Sequence, residues 1–482
     1  MPQRLTQSQQ ALALLYHARA ATPFFSQGGE PCASIPSSVD SRRVLPLRSA
    51  DFRDWLTDNY YAEYETAPSA LALRAVLRTL EARAHSPNSP AQKVDHRIGF
   101  EGDPFAPSRV FLDLANPEGQ ILEITSQGWS IANNLARPFR HSPSTLALPA
   151  PQSPIPDPGP SLFDLFHLSP TAQIRTMFWL LAALRPTGPY PILVLRGPAS
   201  SGKSTLARAL RNLIDPSSAP LRRLPHTDRE LLHLAQHNWI LVFDHVHRIP
   251  IQISEALCAL ASGDALETAQ PDYRDAAVAE IARPIILVAP HDEAQSPWMP
   301  TRSLSARSLT LDLAAFPEPR AESSVWSDFE PFRAPLLATL ADAVSTALRH
   351  IRDIGLSDGA FPHVSRFPDS VAWAAAAAPA LGLHAAAIIE AISTSDSMWL
   401  GVDPLRDTLY SLLAPHPTWS GDSSTLLSRL RSLAPLATLP STPKSLLQSL
   451  ARIPGISFSR DGRIITLTRT ALQSAGSPIP NP

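Results

Sequence analysis

Two cysteines in 482 residues, Cys32 and Cys258, leave no room for a disulfide framework or a cysteine-based metal cluster. That scarcity fits a reducing compartment, so the expected localisation is cytoplasmic. No apolar run approaches the roughly 18 residues of a membrane span, Met177–Leu184 being far too short. The N-terminus carries Arg4 and the apolar Ala11–Tyr16. His17 and Arg19 interrupt the run too early for a signal peptide, and the segment reads as an amphipathic helix. Neither sign of charge dominates: 41 Lys+Arg stand against 43 Asp+Glu, a net charge of −2. A global polyanion-binding signature is therefore excluded, and any DNA contact must come from a local patch. Lysine is scarce, with only Lys93, Lys203 and Lys444. Together with 50 prolines and abundant alanine, the dominance of arginine over lysine reads as genomic base composition.

One of those three lysines lies in the most informative stretch of the chain. The apolar run Ile192–Leu195 leads into Gly197, Pro198, Ala199, Ser200, Ser201, Gly202, Lys203, Ser204 and Thr205, and a helical pattern follows. A loop between a strand end and a helix start aims backbone N–H groups at an anion, and the helix dipole adds positive potential there. The glycines allow close approach to phosphate oxygens, Lys203 reaches the outer phosphates, and Ser204 is suited to Mg²⁺. The pattern predicts a P-loop with ATP and Mg²⁺ as cofactors. A P-loop also needs an acidic residue at a neighbouring strand end. Trp239–Phe243 followed by Asp244 supplies it, making Asp244 the second expected magnesium residue. His245 and His247 beside it read as polar lining rather than a metal site.

Length sets the organisation around this core, since 482 residues exceed a single hydrophobic core. The expected fold class is α/β, a RecA-like P-loop core with an N-terminal α+β domain and a C-terminal helical and winged-helix region. Residues 1–141 show helical patterns near 7–20, 50–58 and 69–84. Strand patterns follow at Val94–Phe100, Arg109–Leu114 and Gln120–Thr125, the last two flanking the turn sequence Asn116–Gly119. Residues 142–161, with seven prolines, read as an extended linker. Strand and helix then alternate over 162–315, as a parallel sheet requires. Residues 316–400 are expected to be helical, with helices at 331–350 and 370–392. A winged-helix-like unit is expected at 401–470 and a disordered tail at 471–482. In that unit a helix over Pro443–Arg452 precedes strands Ile456–Ser459 and Arg463–Leu467, joined across Arg460–Gly462.

Two further positions bear on chemistry. Val288 and Ala289 end the next strand, Pro284–Ala289, where ring-forming NTPases often carry a polar residue that positions the attacking water. Apolar residues there argue against vigorous hydrolysis. Arg307 precedes a strand-like run and is the candidate arginine finger, delivered within the chain or from a neighbouring subunit. Trp129 and Phe139 read as core rather than stacking platforms.

The order of these motifs resembles the P-loop ATPases of phages and integrated mobile elements, often encoded beside primase-polymerases and likened to superfamily 3 replicative helicases. The stretches that carry it include Arg109–Trp129, Pro138–Arg140, Leu180–Tyr190, the P-loop, Leu213–Arg222 and Phe243–Asp244. It continues through Ala256–Gly263, Arg283–Ile286, Arg307–Leu309, Arg366–Asp369 with Trp373, and Trp419–Gly421. It spans most of the chain from about residue 24 to 468. The resemblance implies a ring-forming ATPase core, hence a homo-oligomer, with a DNA-related role in replication of the element. It carries Gly197, Gly202, Lys203, Ser204 and Asp244 into nucleotide and magnesium roles, and Arg307 into the finger role. Three positions depart from the family pattern: His245 stands for its usual Asn, Val288-Ala289 for Asn-Gly, and Asp264–Ala269 for an arginine-containing segment.

For nucleic acid, Arg429, Arg431, Lys444, Arg452, Arg460 and Arg463 gather in the C-terminal unit. Without a base-reading pattern, non-specific phosphate contact is the expected mode. The leading hypothesis is an ATP-dependent, DNA-associated motor. The alternative is a nucleotide-binding scaffold that switches assembly with little turnover. A small-molecule kinase is disfavoured because no acceptor or lid motif stands out.

Overall fold

A computed structural model describes residues 5–26, 30–38, 41–86, 89, 91–133, 137, 139–152, 162–268, 277–289, 301–316, 320–354, 367–399, 405, 408–409, 412–413, 418–433, 442–450, 456–461 and 464–469. The chain divides into two units, Met1–Ser393 and Thr394–Pro482.

The first unit begins with α1 (Gln7–His17), β1 (Thr22–Ser26), β2 (Pro31–Ser38), β3 (Ser41–Pro46), α2 (Ala50–Tyr64), α3 (Ala70–Ala84) and β4 (Ala91–Gln92). The helix starts follow sequence signals. Thr6 and Gln9 form a capping box on α1, while Ser49 and Ser69 accept the backbone N–H three residues on. The second helix runs to Tyr64, further than its sequence pattern suggested, because Phe52, Leu56 and Tyr60 extend its buried stripe. These helices pack on a sheet ordered β3-β2-β1-β4. Four strands follow: β5 (Ile98–Gly102), β6 (Pro107–Asp113), β7 (Gln120–Thr125) and β8 (Gly128–Asn133), an antiparallel meander. The β6–β7 turn carries Gly119 at φ 66°. Phe139 is buried and Trp129 half-buried, Trp129 donating from Nε1 to Asp342 Oδ1 at 2.9 Å.

The proline-rich stretch is described as far as Gln152, and the rest of the expected linker lies outside the described residues. Up to Gln152 it contains no helix or strand, yet it is held to the fold. Leu148 is buried with its N–H on Leu114 O, and Leu146 N–H donates to Pro216 O.

Next come α4 (Leu162–Leu165), α5 (Pro170–Ala183), β9 (Ile192–Arg196), α6 (Lys203–Ile214), α7 (Asp228–Ala235), β10 (Leu241–Phe243) and α8 (Ile251–Ser262). The hairpin β11 (Ala265–Thr268) and β12 (Ala277–Glu280) precedes β13 (Ile285–Val288), α9 (Arg302–Ala306) and β14 (Ser308–Asp312). Strands β10, β13, β9 and β14 form an all-parallel sheet in that order. Their continuous Ile/Leu/Val character is what a strand buried on both faces requires. The class is thus mixed α/β with a parallel sheet among helices.

A long helix, α10 (Glu322–His350), follows, then α11 (Pro368–Ala377) and α12 (Ala385–Trp399). The alanine-rich run read as continuous over 370–392 is two helices. A 3-10 turn over Ala378–Leu381 and the left-handed Gly382, φ 63°, separate them. One hydrophobic core joins the meander, the parallel sheet and α10 through residues such as Leu122, Leu195, Leu210 and Val344.

The second unit contains β15 (Thr418–Asp422), α13 (Ser423–Leu433), α14 (Pro443–Leu450), β16 (Ile456–Asp461) and β17 (Ile464–Arg469). Its sheet order is β15-β17-β16, antiparallel. The hairpin strands run to Asp461 and from Ile464, so Arg460 and Asp461, read from sequence as turn residues, belong to the first strand, while Gly462 and Arg463 lie outside the described residues. Arg452, Arg463 and the tail 471–482 lie outside the described residues, as do Pro138 and Arg366. Among described residues no helix is long and apolar enough to cross a membrane.

Candidate nucleotide site

Strand β9 delivers the chain to Gly197 at the carboxyl end of the parallel sheet, where ligands of α/β proteins gather. Gly197 adopts φ 153°, and a Cβ there would collide with the Leu313 carbonyl just beyond β14. Gly202 caps α6 at φ 75°, and a Cβ there would enter the Phe316 ring. Both glycines are therefore demanded by conformation and by contact. Between them Ser200 takes φ 61°, an uncommon value for a non-glycine residue.

Lys203 is the first residue of α6, where the helix leaves N–H groups without intrahelical partners. Its Nζ donates to Gly197 O at 2.7 Å and Pro198 O at 2.6 Å, and lies 3.3 Å from Ser201 Oγ. The ammonium is thus held by carbonyls of its own loop. Partial burial draws its pKa below the ordinary lysine value, with the Asp244 charge opposing.

Asp244 lies directly after β10, one strand removed from β9. Its backbone N–H donates to Arg222 O at 2.8 Å, and residue 222 forms a parallel bridge with Phe243. Ser204 Oγ donates to Asp244 Oδ1 at 3.1 Å, and the His245 N–H to the same oxygen at 2.8 Å. Sequence positions 40 apart thus meet at one point. Ser204 and Asp244 are hard oxygen donors in the chemistry Mg²⁺ requires. His245 is exposed at φ 55° with Nε2 3.8 Å from Asp244 Oδ2, and His247 is exposed too. Among described residues no His/Cys/Asp/Glu group could hold a metal as a cluster of three or more.

The other sequence candidates separate by position. Val288 and Ala289 are fully buried at the tip of β13, between β9 and β10. Val288 O accepts from Val246 N–H, and Ala289 N–H donates to Leu195 O, so their backbone ties the neighbouring tips together. Arg307 is not brought to the loop. It precedes β14 at the amino end of the sheet, its carbonyl accepting from Ile192 N–H and its Nε donating to Ser262 Oγ at 3.1 Å. The register from Ser308↔Ile192 to Asp312↔Arg196 puts about 13 Å of strand between it and the Gly197–Ser204 loop. Delivery of Arg307 to a phosphate within one chain does not fit that placement.

Sequence reading missed the buried centre at the far end of α6. Asp215 accepts from Arg97 Nε at 3.2 Å and from the N–H groups of Trp239 and Ile240, while Arg211 Nη2 reaches Asn238 Oδ1 at 2.8 Å. Arg97 is at φ 56°, and no local pattern announced its pairing with a residue 118 positions away.

Comparison with known proteins adds one finding about this core. The model of the family described as actinomycete integrative conjugative element replication protein matches residues 162–378. That stretch is similar to a replication protein of mobile elements. No curated protein matches the chain. Among solved structures, the A form apo structure of the NrS-1 C-terminal region aligns over 96% of this chain and 99% of that one. Identity is 10% and the TM-score 0.39. A further apo structure of the same region aligns over 96% and 100%, at 9% identity and TM-score 0.39. Likeness at that level identifies neither fold nor function.

Proposed function

We propose that the chain is an ATP-binding P-loop ATPase with a RecA-like core, acting in DNA replication of a mobile element. The observation that carries this reading is the convergence of Lys203, Ser204 and Asp244 beyond the strand ends of one parallel sheet. The family match over 162–378 supports the replication context.

The residues fit a triphosphate and Mg²⁺. Lys203 exchanges the Gly197 and Pro198 carbonyls for outer phosphate oxygens, and its charge offsets theirs. Ser204 and Asp244 hold the Mg²⁺ ion, whose chemistry is to neutralise charge developing on the phosphates. Asp244, held by the His245 N–H and Ser204, keeps its carboxylate fixed for that task. Arg307, at the opposite end of the sheet, would serve the site of a second copy, consistent with a ring. The second unit, with helices preceding an antiparallel hairpin, supports a winged-helix reading, and exposed Arg429, Arg431 and Lys444 offer phosphate contacts.

A second reading rests on Val288 and Ala289. Among the described residues that buried tip carries no polar side chain to orient a water, which favours a nucleotide-gated scaffold of low turnover. Phosphate release with and without single-stranded or duplex DNA, alongside sizing with a non-hydrolysable ATP analogue, decides between them. The motor reading requires turnover that rises with DNA and vanishes in Lys203→Ala. Nucleotide-dependent assembly at background turnover supports the scaffold, and neither effect would end both readings.

A further inference from the structure

The triphosphate cradle accounts for the loop's polar groups but not for the aromatic rings set against it. Just beyond β14 the Leu313 carbonyl lies against Gly197, and three residues on the Phe316 ring packs directly on Gly202. A single short segment therefore lines both glycines of the loop. Phe166, just after α4, approaches Gly202 as well, 3.5 Å from where a Cβ would stand, and is buried. Its neighbour His167 is exposed, and its ring meets Phe316 edge to face, centroids 5.4 Å apart and planes at 70°.

His167 also holds an uncommon backbone conformation. It closes the turn after α4 at φ 47°, with its N–H on Asp164 O and the Leu168 N–H on Phe163 O. Glycine fits such a position without strain, and histidine is among the other residues that adopt it more readily. Phe316 is half-buried and packs beside that imidazole. Two rings of fixed orientation thus stand at the start of the helix that bears Lys203 and Ser204. Flat aromatic surface next to a phosphate-binding loop is the chemistry that receives a nucleobase.

We propose that His167 and Phe316 form an aromatic shelf with a raised edge, where the base of a bound nucleoside triphosphate stacks on one ring face and meets the edge of the other. The inference rests on reading Gly197–Thr205 as a triphosphate cradle, and it adds a surface for the base to that cradle. Stacking favours the larger ring systems, so purine triphosphates bind more tightly than pyrimidine ones.

The test is calorimetric titration of the full chain with Mg²⁺ and either ATP or ribose 5′-triphosphate, which lacks the base. Wild type is expected to bind ATP at least about tenfold more tightly than ribose triphosphate. Phe316→Leu keeps apolar packing on Gly202 but removes the aromatic face. It is expected to lose about tenfold in ATP affinity while ribose triphosphate stays within about twofold, and Phe316→Trp restores the preference. His167→Asn, which tolerates the left-handed backbone, loses a smaller factor for ATP alone. Equal affinity of wild type for the two ligands, or equal weakening of both in Phe316→Leu, would overturn the shelf while leaving the cradle intact. Failure of both ligands to bind wild type would overturn the cradle, and the shelf with it.

Discussion

The two ends of α6 carry similar residues in different circumstances. At its start, Lys203 is half-exposed and partnered by loop carbonyls, and Ser204 reaches Asp244. At its end, Arg211 and Asp215 are buried, and Asp215 meets Arg97 and two backbone N–H groups. The first set has partners that an incoming anion can replace. The second is saturated by the protein itself and joins α6 to Arg97, the residue before β5, and through Arg97 Nη1 to the Asp113 carbonyl. Exposure and replaceability of partners, rather than residue type, separate a ligand site from a structural one.

The sharpest way to break that comparison is a pair of variants with opposite outcomes. Arg97→Met removes the closer of the two ion partners of the buried Asp215 carboxylate, leaving Arg211 Nη2 at 3.6 Å, at an expected cost of about 3 kcal/mol in stability. Chemical denaturation should show that loss while nucleotide affinity, where the variant remains folded, changes little. Lys203→Ala should do the reverse, weakening ATP binding by about a hundredfold with almost no change in unfolding midpoint. Weaker ATP binding in Arg97→Met as large as that in Lys203→Ala would erase the distinction.

Smaller effects refine the ligand end. Asp244→Asn should reduce the gain in ATP affinity on adding Mg²⁺ by about tenfold, leaving metal-free binding nearly intact. Because burial lowers the Lys203 pKa, its charge is lost on alkaline titration before the ordinary lysine range is reached. ATP affinity should therefore start to fall below pH 10.5 and fall earlier than for an exposed lysine. The same shift works against folding: between the lowered value and 10.5 the unfolded chain binds more protons, so this group's contribution to stability rises with pH. The least of the effects is expected from Val288→Asn, which should raise phosphate release several-fold if water positioning limits turnover. It should also lower stability by about 1–3 kcal/mol as a polar group enters a buried tip. An unchanged rate in a folded variant would show that the tip is not limiting.

Local chemistry decided what the sequence disclosed. Gly197, Gly202, Lys203 and Ser204 were legible because strand, turn and helix cap are consecutive, and Asp244 because it ends an apolar run. The Gly119 turn was legible for the same reason. The Arg97–Asp215 pair was not, since its partners are 118 residues apart and each looks like an ordinary surface charge in its own segment. Nor was the position of Arg307, because the end of the sheet at which a residue stands follows from strand order rather than neighbours. β15 went unread for a related reason: Thr418–Asp422 gains its meaning only by pairing with β17.

Titration of the full chain with ATP and Mg²⁺, followed by its heat, tests the cradle most directly. Saturable single-site binding that is lost in Lys203→Ala and retained in Arg97→Met is the result this structure predicts. No heat of binding at millimolar ATP, or the same isotherm in wild type and Lys203→Ala, would contradict it.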